Sequence, residues 1–172
     1  GVNTRFNIPH SRFNEISRQQ FEQARLGILA ESEQAGVHLA VSEDGFRIVF
    51  FQGHPEYDAI SLLKEYKREV GRYIRGEISD YPPVPENYLT PRSTAILEEY
   101  RERVIMACGS GREPQEFPED LIVPTLDNTW HDSAEAILNN WIGKVYQITH
   151  LDRRLPFRKG INADNPLGLK RR

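Results

Sequence analysis

The chain has 172 residues, of which 38% are apolar, 10% aromatic and 27% charged, with one cysteine and a formal net charge of −3. That length suits one ordinary domain. Apolar runs such as Ile48-Val49-Phe50-Phe51 fall far short of the roughly 20 residues of a membrane span, and Cys108 alone excludes an internal disulfide framework or a cysteine-based zinc cage.

The first fifteen residues have no clean period and contain Pro9, which predicts a loop. SRQQFEQA (17–24) reads as a short helix, followed by a strand over 26–31 and a turn at Glu33-Gln34-Ala35-Gly36. In a second strand, 37–42, Val37, Leu39 and Val41 share one face. His38 then falls on the outward side. Asp44-Gly45 is a two-residue type I′ hairpin signal, since both positions accept positive φ. It leads into a third strand, 46–51, apolar on both faces near its end, as expected of a strand covered on both sides.

Gly53–Tyr57 reads as a loop. Residues 58–76 read as a helix with Asp58 as N-cap and Gly76 at the C-terminus, and Ile60, Leu63, Tyr66, Val70, Tyr73 and Ile74 at helical spacing. A proline-rich connection (78–92) precedes a second helix at 93–107. Residues 109–128 form a long irregular stretch. The last helix, 132–147, has Asp132 as cap with Glu135 three residues on. Ile137, Leu138, Trp141, Ile142, Val145 and Tyr146 are its expected buried stripe, and Trp130 is expected in the core. His131 and His150 flank that helix, and the helix dipole explains His150 near its C-terminus.

Charge is uneven along the chain: residues 1–150 carry 15 Lys and Arg against 23 Asp and Glu, whereas 151–172 carry 7 against 2. Gly160, Pro166 and Gly168 break this basic tail and Phe157 is its one aromatic residue, so it reads as solvated rather than as a nucleic-acid arm. The organisation expected is a domain over 1–150 and a basic tail over 151–172. No apolar h-region follows the N-terminus, so a cytoplasmic protein without a membrane segment is expected.

The chemistry concentrates in Gly53-His54-Pro55-Glu56-Tyr57-Asp58, directly after the third strand. A histidine and a carboxylate two apart in extended chain project to the same side. Pro55 fixes its own φ and biases His54 towards extended backbone. A pair so placed leaves the carboxyl end of a core strand, where α/β sheets build their sites. A carboxylate on one imidazole nitrogen sets the tautomer and raises the basicity of the other, which can then deprotonate a nucleophile. By pattern alone, a loop pair is the plainer reading. His10 reads as a loop histidine satisfied by backbone. No histidine pair has metal-ligand spacing and no glycine-rich phosphate loop is present.

GHPEYD after IVFFQ resembles the His-Pro-Glu signature of class I glutamine amidotransferases. The wider match resembles the homoserine O-succinyltransferase family of homoserine O-acyltransferases, through PHSRFNEI (9–16), GILAESEQAGVHLAVSEDGFRIVF (27–50), GHPEYDAISLLKEYKRE (53–69) and NNWIGKVYQIT (139–149). The resemblance implies the C-terminal half of an α/β, flavodoxin-like, three-layer domain. It also implies a Cys–His–Glu triad in which His54 is the base and Glu56 its partner. Ser11 matches a position that contacts substrate and tunes acyl specificity. Arg68 matches an arginine that holds the homoserine carboxylate, a role that its planar fork suits; by pattern alone it is a solvated charge among Lys64, Lys67 and Arg72.

Such enzymes pass an acyl group from acyl-CoA, a co-substrate rather than a resident cofactor, through the cysteine to L-homoserine in methionine biosynthesis. Succinyl-CoA is the expected donor, and acetyl-CoA the alternative. The family's nucleophile lies before the Pro-His-Ser-Arg element, so it is expected outside this chain. Cys108 in VIMACGSG superficially suggests a nucleophile elbow but follows the His-Glu pair, and an incidental or buried thiol is the better reading. Residues 93–130 do not resemble the family. An exposed half-sheet is expected either to pack on a missing N-terminal half or to form a homodimer. The rival readings are a glutaminase of the same fold and a catalytically inactive binding remnant.

Overall fold

The computed structural model describes residues 2–169; the tail's Lys170, Arg171 and Arg172 lie outside the described residues. The elements in chain order are α1 (Arg18–Gln23), β1 (Gly27–Ser32), β2 (Gly36–Val41), β3 (Val49–Phe51), α2 (Ser61–Ile74), α3 (Pro91–Gly109), α4 (Glu119–Ile122), a 3-10 turn (Val123–Thr125) and α5 (His131–Ile148). This is an α/β chain with a small antiparallel sheet, ordered β1-β2-β3. It divides into two compact units: one made of residues 1–56 and 129–172, the other of Tyr57–Asn128. Among the described residues no helix is long and apolar enough to cross a membrane.

In the first unit, α1 opens on a reciprocal cap. Ser17 Oγ accepts from the Gln20 N–H, and Gln20 Oε1 accepts from the Ser17 N–H at 2.8 Å. The helix buries Phe21 with Val37 and Ala40, flanked by Leu26, Ile28 and Phe50. β2 is the central strand and is buried along almost all of its length. That corrects the outward placement of His38, which is only 5% exposed. A period-2 reading assumes one wet face, whereas β2 is covered on both.

The third strand is shorter than expected. It pairs Val49, Phe50 and Phe51 with Val41, Ala40 and Leu39, and Phe51 is exposed rather than covered. Residues 46–48 stay in the connection because the Asp44-Gly45 turn is not type I′: Gly45 takes φ +76° and Asp44 does not take positive φ. Asp44 Oδ1 instead accepts from Ser42 Oγ, Phe46 N and Arg47 N. Burial raises the Asp44 carboxyl, but these bonds and the Arg47 charge outweigh it and hold it below the usual range.

Phe46 turns inward, and its carbonyl accepts from Trp141 Nε1 on α5 at 3.1 Å. α5 is not capped by Asp132: Trp130, buried as expected, occupies the N-cap position, and no side-chain cap hydrogen bond forms there. Its apolar stripe is largely uncovered, with Leu138 50%, Trp141 37%, Ile142 37% and Tyr146 72% exposed, against the expected burial. The tail packs back on this unit. Arg158 donates to the Tyr146 and Thr149 carbonyls and its N–H to Ile148 O, closing the open end of α5. His150 Nδ1 accepts from the Asp152 N–H.

In the second unit, Leu63, Tyr66 and Val70 of α2 pack with Leu97, Tyr100 and Val104 of α3. Phe117 and Ile122, from the stretch read as irregular, complete that core. α2 starts at Ser61 with no side-chain cap, so Asp58 contributes its carbonyl to the Ser61 N–H and not its carboxylate. Gly76 ends the helix at φ +73°, as the spacing predicts. Thr90 caps α3 through the Ser93 N–H, with Pro91 in the first turn, where the missing N–H costs nothing. Cys108 is therefore in the last helical turn, half-buried, and no strand-to-helix elbow surrounds it.

Candidate active site

The site grows from the end of β3. Gln52 extends the pairing, its N–H donating to His38 O at 2.8 Å. Its side chain then ties down the N-terminal loop: Oε1 accepts from Ile16 N, and Nε2 donates to the carbonyls of Ile16 and Val37. Gly53 is buried, and His54 N donates to Pro9 O at 2.8 Å. The chain leaves the sheet with the backbone on both sides of Gly53 anchored.

The two residues singled out by their spacing meet. His54 Nδ1 lies 2.9 Å from Glu56 Oε1, with Glu56 itself 66% exposed at its side chain. His54 Nε2 lies 3.1 Å from the Ser11 carbonyl oxygen. Both neighbours are acceptors. A neutral ring with its proton on Nδ1 is held by Glu56 and presents a basic Nε2; a doubly protonated ring satisfies Glu56 and Ser11 at once. Ser11 thus enters the site through its backbone.

Gly53 is the position where this packing is tightest. A Cβ there would stand 2.6 Å from Ile8 Cγ2, 2.8 Å from His38 Nδ1 and 2.9 Å from His10 Nε2. His10 is not satisfied by backbone, as the sequence suggested, but by the Arg12 guanidinium, which hydrogen-bonds its Nδ1. Arg12 also donates to Ala35 O at 2.6 Å and pairs with Glu15 at 3.3 Å. Burial, then the charges of Arg12 and His54, hold His10 below its ordinary pKa, with Glu15 opposing. The sequence does not single out Gln52 or Arg12, because the carbonyls they bond, those of Ile16 and Val37 for Gln52 and of Ala35 for Arg12, are remote in sequence; Gln52, a polar residue directly continuing an apolar strand, is the one available signal.

His38 packs its ring 5.6 Å from His10, 5.7 Å from Phe51 and 6.1 Å from Phe6. Neither ring nitrogen has a hydrogen-bond partner among the described residues. Burial, then the His10 charge, pushes its pKa down from 6.5 to about 4. The folded state therefore refuses a proton that the unfolded chain accepts below pH 6.5. Stability is fully present above 6.5 and is lost as pH falls towards about 4, by about 3 kcal/mol from this group. His38→Phe, which gives up no hydrogen bond, is expected to flatten that loss. Urea midpoints near neutral pH and near pH 4 measure it, and equal acid losses in variant and parent would contradict the assignment.

In the second unit, Arg68 stands on an exposed face of α2 with its Nε donating to Glu69 Oε1 at 3.2 Å. Glu69 is shared with Arg72 Nη1 at 2.8 Å. Cys108 neighbours Tyr100 in that unit's helical core. Among the described residues no group of three or more His, Cys, Asp or Glu is arranged to hold a metal ion.

Comparison with known proteins supplies the context for this geometry. The family profile of homoserine O-succinyltransferase matches residues 1–151. A protein named homoserine O-succinyltransferase from Thioalkalivibrio nitratireducens is 64% identical over 171 residues, covering 99% of this chain and 48% of its own length. Its namesake from Nitrosococcus oceani is 66% identical over the same length, with the same coverage. A third, from Allochromatium vinosum, is 64% identical over 168 residues, 98% of this chain and 47% of its own. The chain spans about half the length of the curated relatives it matches.

Proposed function

Given that the chain belongs to the homoserine O-succinyltransferase family, we propose that the full-length protein transfers an acyl group from acyl-CoA to the hydroxyl of L-homoserine, a step of methionine biosynthesis. Succinyl-CoA is the donor by the names of the relatives. The observation that carries this reading is the His54–Glu56 pair at 2.9 Å, set at the end of the sheet with Nε2 turned towards the Ser11 backbone.

In this reading Glu56 keeps the His54 proton on Nδ1, and Nε2 takes the proton of a cysteine thiol supplied by the remainder of the polypeptide. The thiolate attacks the thioester carbonyl, and the C–S bond to coenzyme A breaks. The His54 proton passes to the departing thiolate. Homoserine then binds, Nε2 removes its hydroxyl proton, and the alkoxide oxygen takes the acyl group from the cysteine. Whenever His54 is doubly protonated, the Ser11 carbonyl is the acceptor for Nε2–H. The Ser11 side chain is the proposed substrate contact, and Arg68 the fork for the homoserine carboxylate. No resident cofactor takes part.

The fold we propose for the whole domain is the three-layer, amidotransferase-like sheet, of which this chain supplies the C-terminal half. The uncovered apolar face of α5, with Leu29 and Ile48 exposed in the same unit, supports a covering by further polypeptide. Homodimerisation and a cytoplasmic location accompany this reading. A glutaminase is not favoured, since the relatives carry the transferase name.

The test is to assay the full-length protein for homoserine-dependent release of free coenzyme A from succinyl-CoA and acetyl-CoA, against ammonia release from glutamine. Homoserine-dependent release supports the proposal; glutamine hydrolysis alone would overturn it. Arg68→Ala is expected to raise the KM for homoserine roughly 10- to 100-fold, the worth of a charge-assisted bond, and to leave that for acyl-CoA nearly unchanged. Equal effects on both would reject the carboxylate role.

A further inference from the structure

We infer that His10 is a positioning residue for His54, locked by Arg12 in one neutral tautomer so that the backbone on either side of it holds the His54 imidazole. This deepens the acyltransferase reading and rests on it.

The tautomer follows from donor chemistry. A guanidinium can only donate, so His10 Nδ1, which it meets, is the acceptor and the ring proton sits on Nε2. With its accepting nitrogen occupied, His10 is not a second base. Its Nε2 edge faces the Gly53 backbone and the His38 ring, where a Cβ on Gly53 would stand 2.9 Å away.

The positioning follows from what flanks it. Pro9 O takes the His54 N–H at 2.8 Å, and Ser11 O lies 3.1 Å from His54 Nε2. These are the carbonyls on the two sides of residue 10, so a change in the seat of His10 moves both. The lock is itself anchored, because Arg12 bonds Ala35 O in the β1–β2 turn at 2.6 Å and Glu15 at 3.3 Å. A connected line thus runs from the turn, through Arg12 and His10, to the imidazole.

Charge agrees with it. The groups facing His10 are Arg12 and Glu15 on its own loop, His38 on β2 and His54 beyond β3; burial, Arg12 and His54 favour its neutral form, and Glu15 alone opposes.

The test compares three variants of the full-length protein. Asparagine places its amide oxygen near the position of Nδ1 and can accept from Arg12; glutamine reaches only the position of Nε2, and leucine accepts nothing. His10→Gln and His10→Leu are expected to lower kcat roughly 100-fold, the scale of a misplaced catalytic group, with little change in either KM. His10→Asn is expected to recover most of that loss. If the three variants behave alike, impaired or not, the inference is wrong. An inactive parent protein would instead overturn the acyltransferase reading.

Nitrogen-15 NMR of the imidazoles supplies a readout that needs neither activity nor a folded variant. In the parent protein at neutral pH, His10 Nδ1 is expected to carry no proton and Nε2 to carry one. Arg12→Met is expected to mix the tautomers. A proton found on Nδ1 of the parent would overturn the inference, even if the substituted proteins fail to fold.

Discussion

His54→Ala in the full-length protein is expected to lower acyl transfer by at least roughly 10²- to 10⁴-fold, the worth of a positioned general acid–base, while leaving the fold nearly intact. The imidazole packs no core cluster and stands at the end of the sheet rather than within it. Its loss removes the bonds to Glu56 and Ser11, both of which water can replace at this partly open site. Far-ultraviolet circular dichroism and the urea midpoint should match those of the parent. A pure, folded variant that transfers succinyl groups at the parent rate would show that His54 is not the base.

The second large effect is expected at Gly53, which makes no chemistry of its own. A methyl group there would lie under 3.0 Å from Ile8, His38 and His10 together, so it cannot be accommodated by moving one side chain. Gly53→Ala is expected to cost about 1–3 kcal/mol of stability, as overpacked interiors do. It is also expected to lower kcat roughly 100-fold, because the displaced backbone is the one that carries His54. A urea midpoint and a kcat measurement on the same preparation separate the two consequences. Parent values of both would mean that the surroundings of Gly53 are looser than the geometry implies.

How much of this could be read in advance depends on whether the deciding contact is local. The His54–Glu56 pair was readable because alternation in an extended chain puts residues two apart on one side, and the two groups do meet. The stripe of α2 was readable from helical spacing, which is equally local, and Leu63, Tyr66 and Val70 are buried in one core; α3 was readable as a helix, but its core residues Leu97, Tyr100 and Val104 were not named.

Caps were less so. Asp58 and Asp132 have the right side chain, but α2 and α5 begin at other residues, whose backbone is already helical. The Asp44-Gly45 dipeptide suits a two-residue hairpin. Three donors on Asp44 Oδ1 favour a longer connection instead, which shortens β3 and turns Phe46 inward.

The remaining misses share a cause. His38 was placed on the outward side of its strand because the loop that covers it, carrying Phe6 and His10, has no period of its own. The stripe on α5 was correctly recognised as apolar, but its burial needs a surface that the described residues do not provide. The clamp of Pro9, Ser11 and Gln52 around His54 joins residues up to 45 apart, and spacing carries no information about such contacts.

In the proposed reaction His54 and Glu56 serve a cysteine outside these 172 residues. Intact and peptide-level mass spectrometry of the full-length protein, mixed with succinyl-CoA without homoserine, tests it most directly. The expected result is one succinyl group on a cysteine beyond this chain, discharged on adding homoserine and absent in His54→Ala. A succinyl group on Cys108, or a parent protein that turns over with no acylated cysteine, would contradict it.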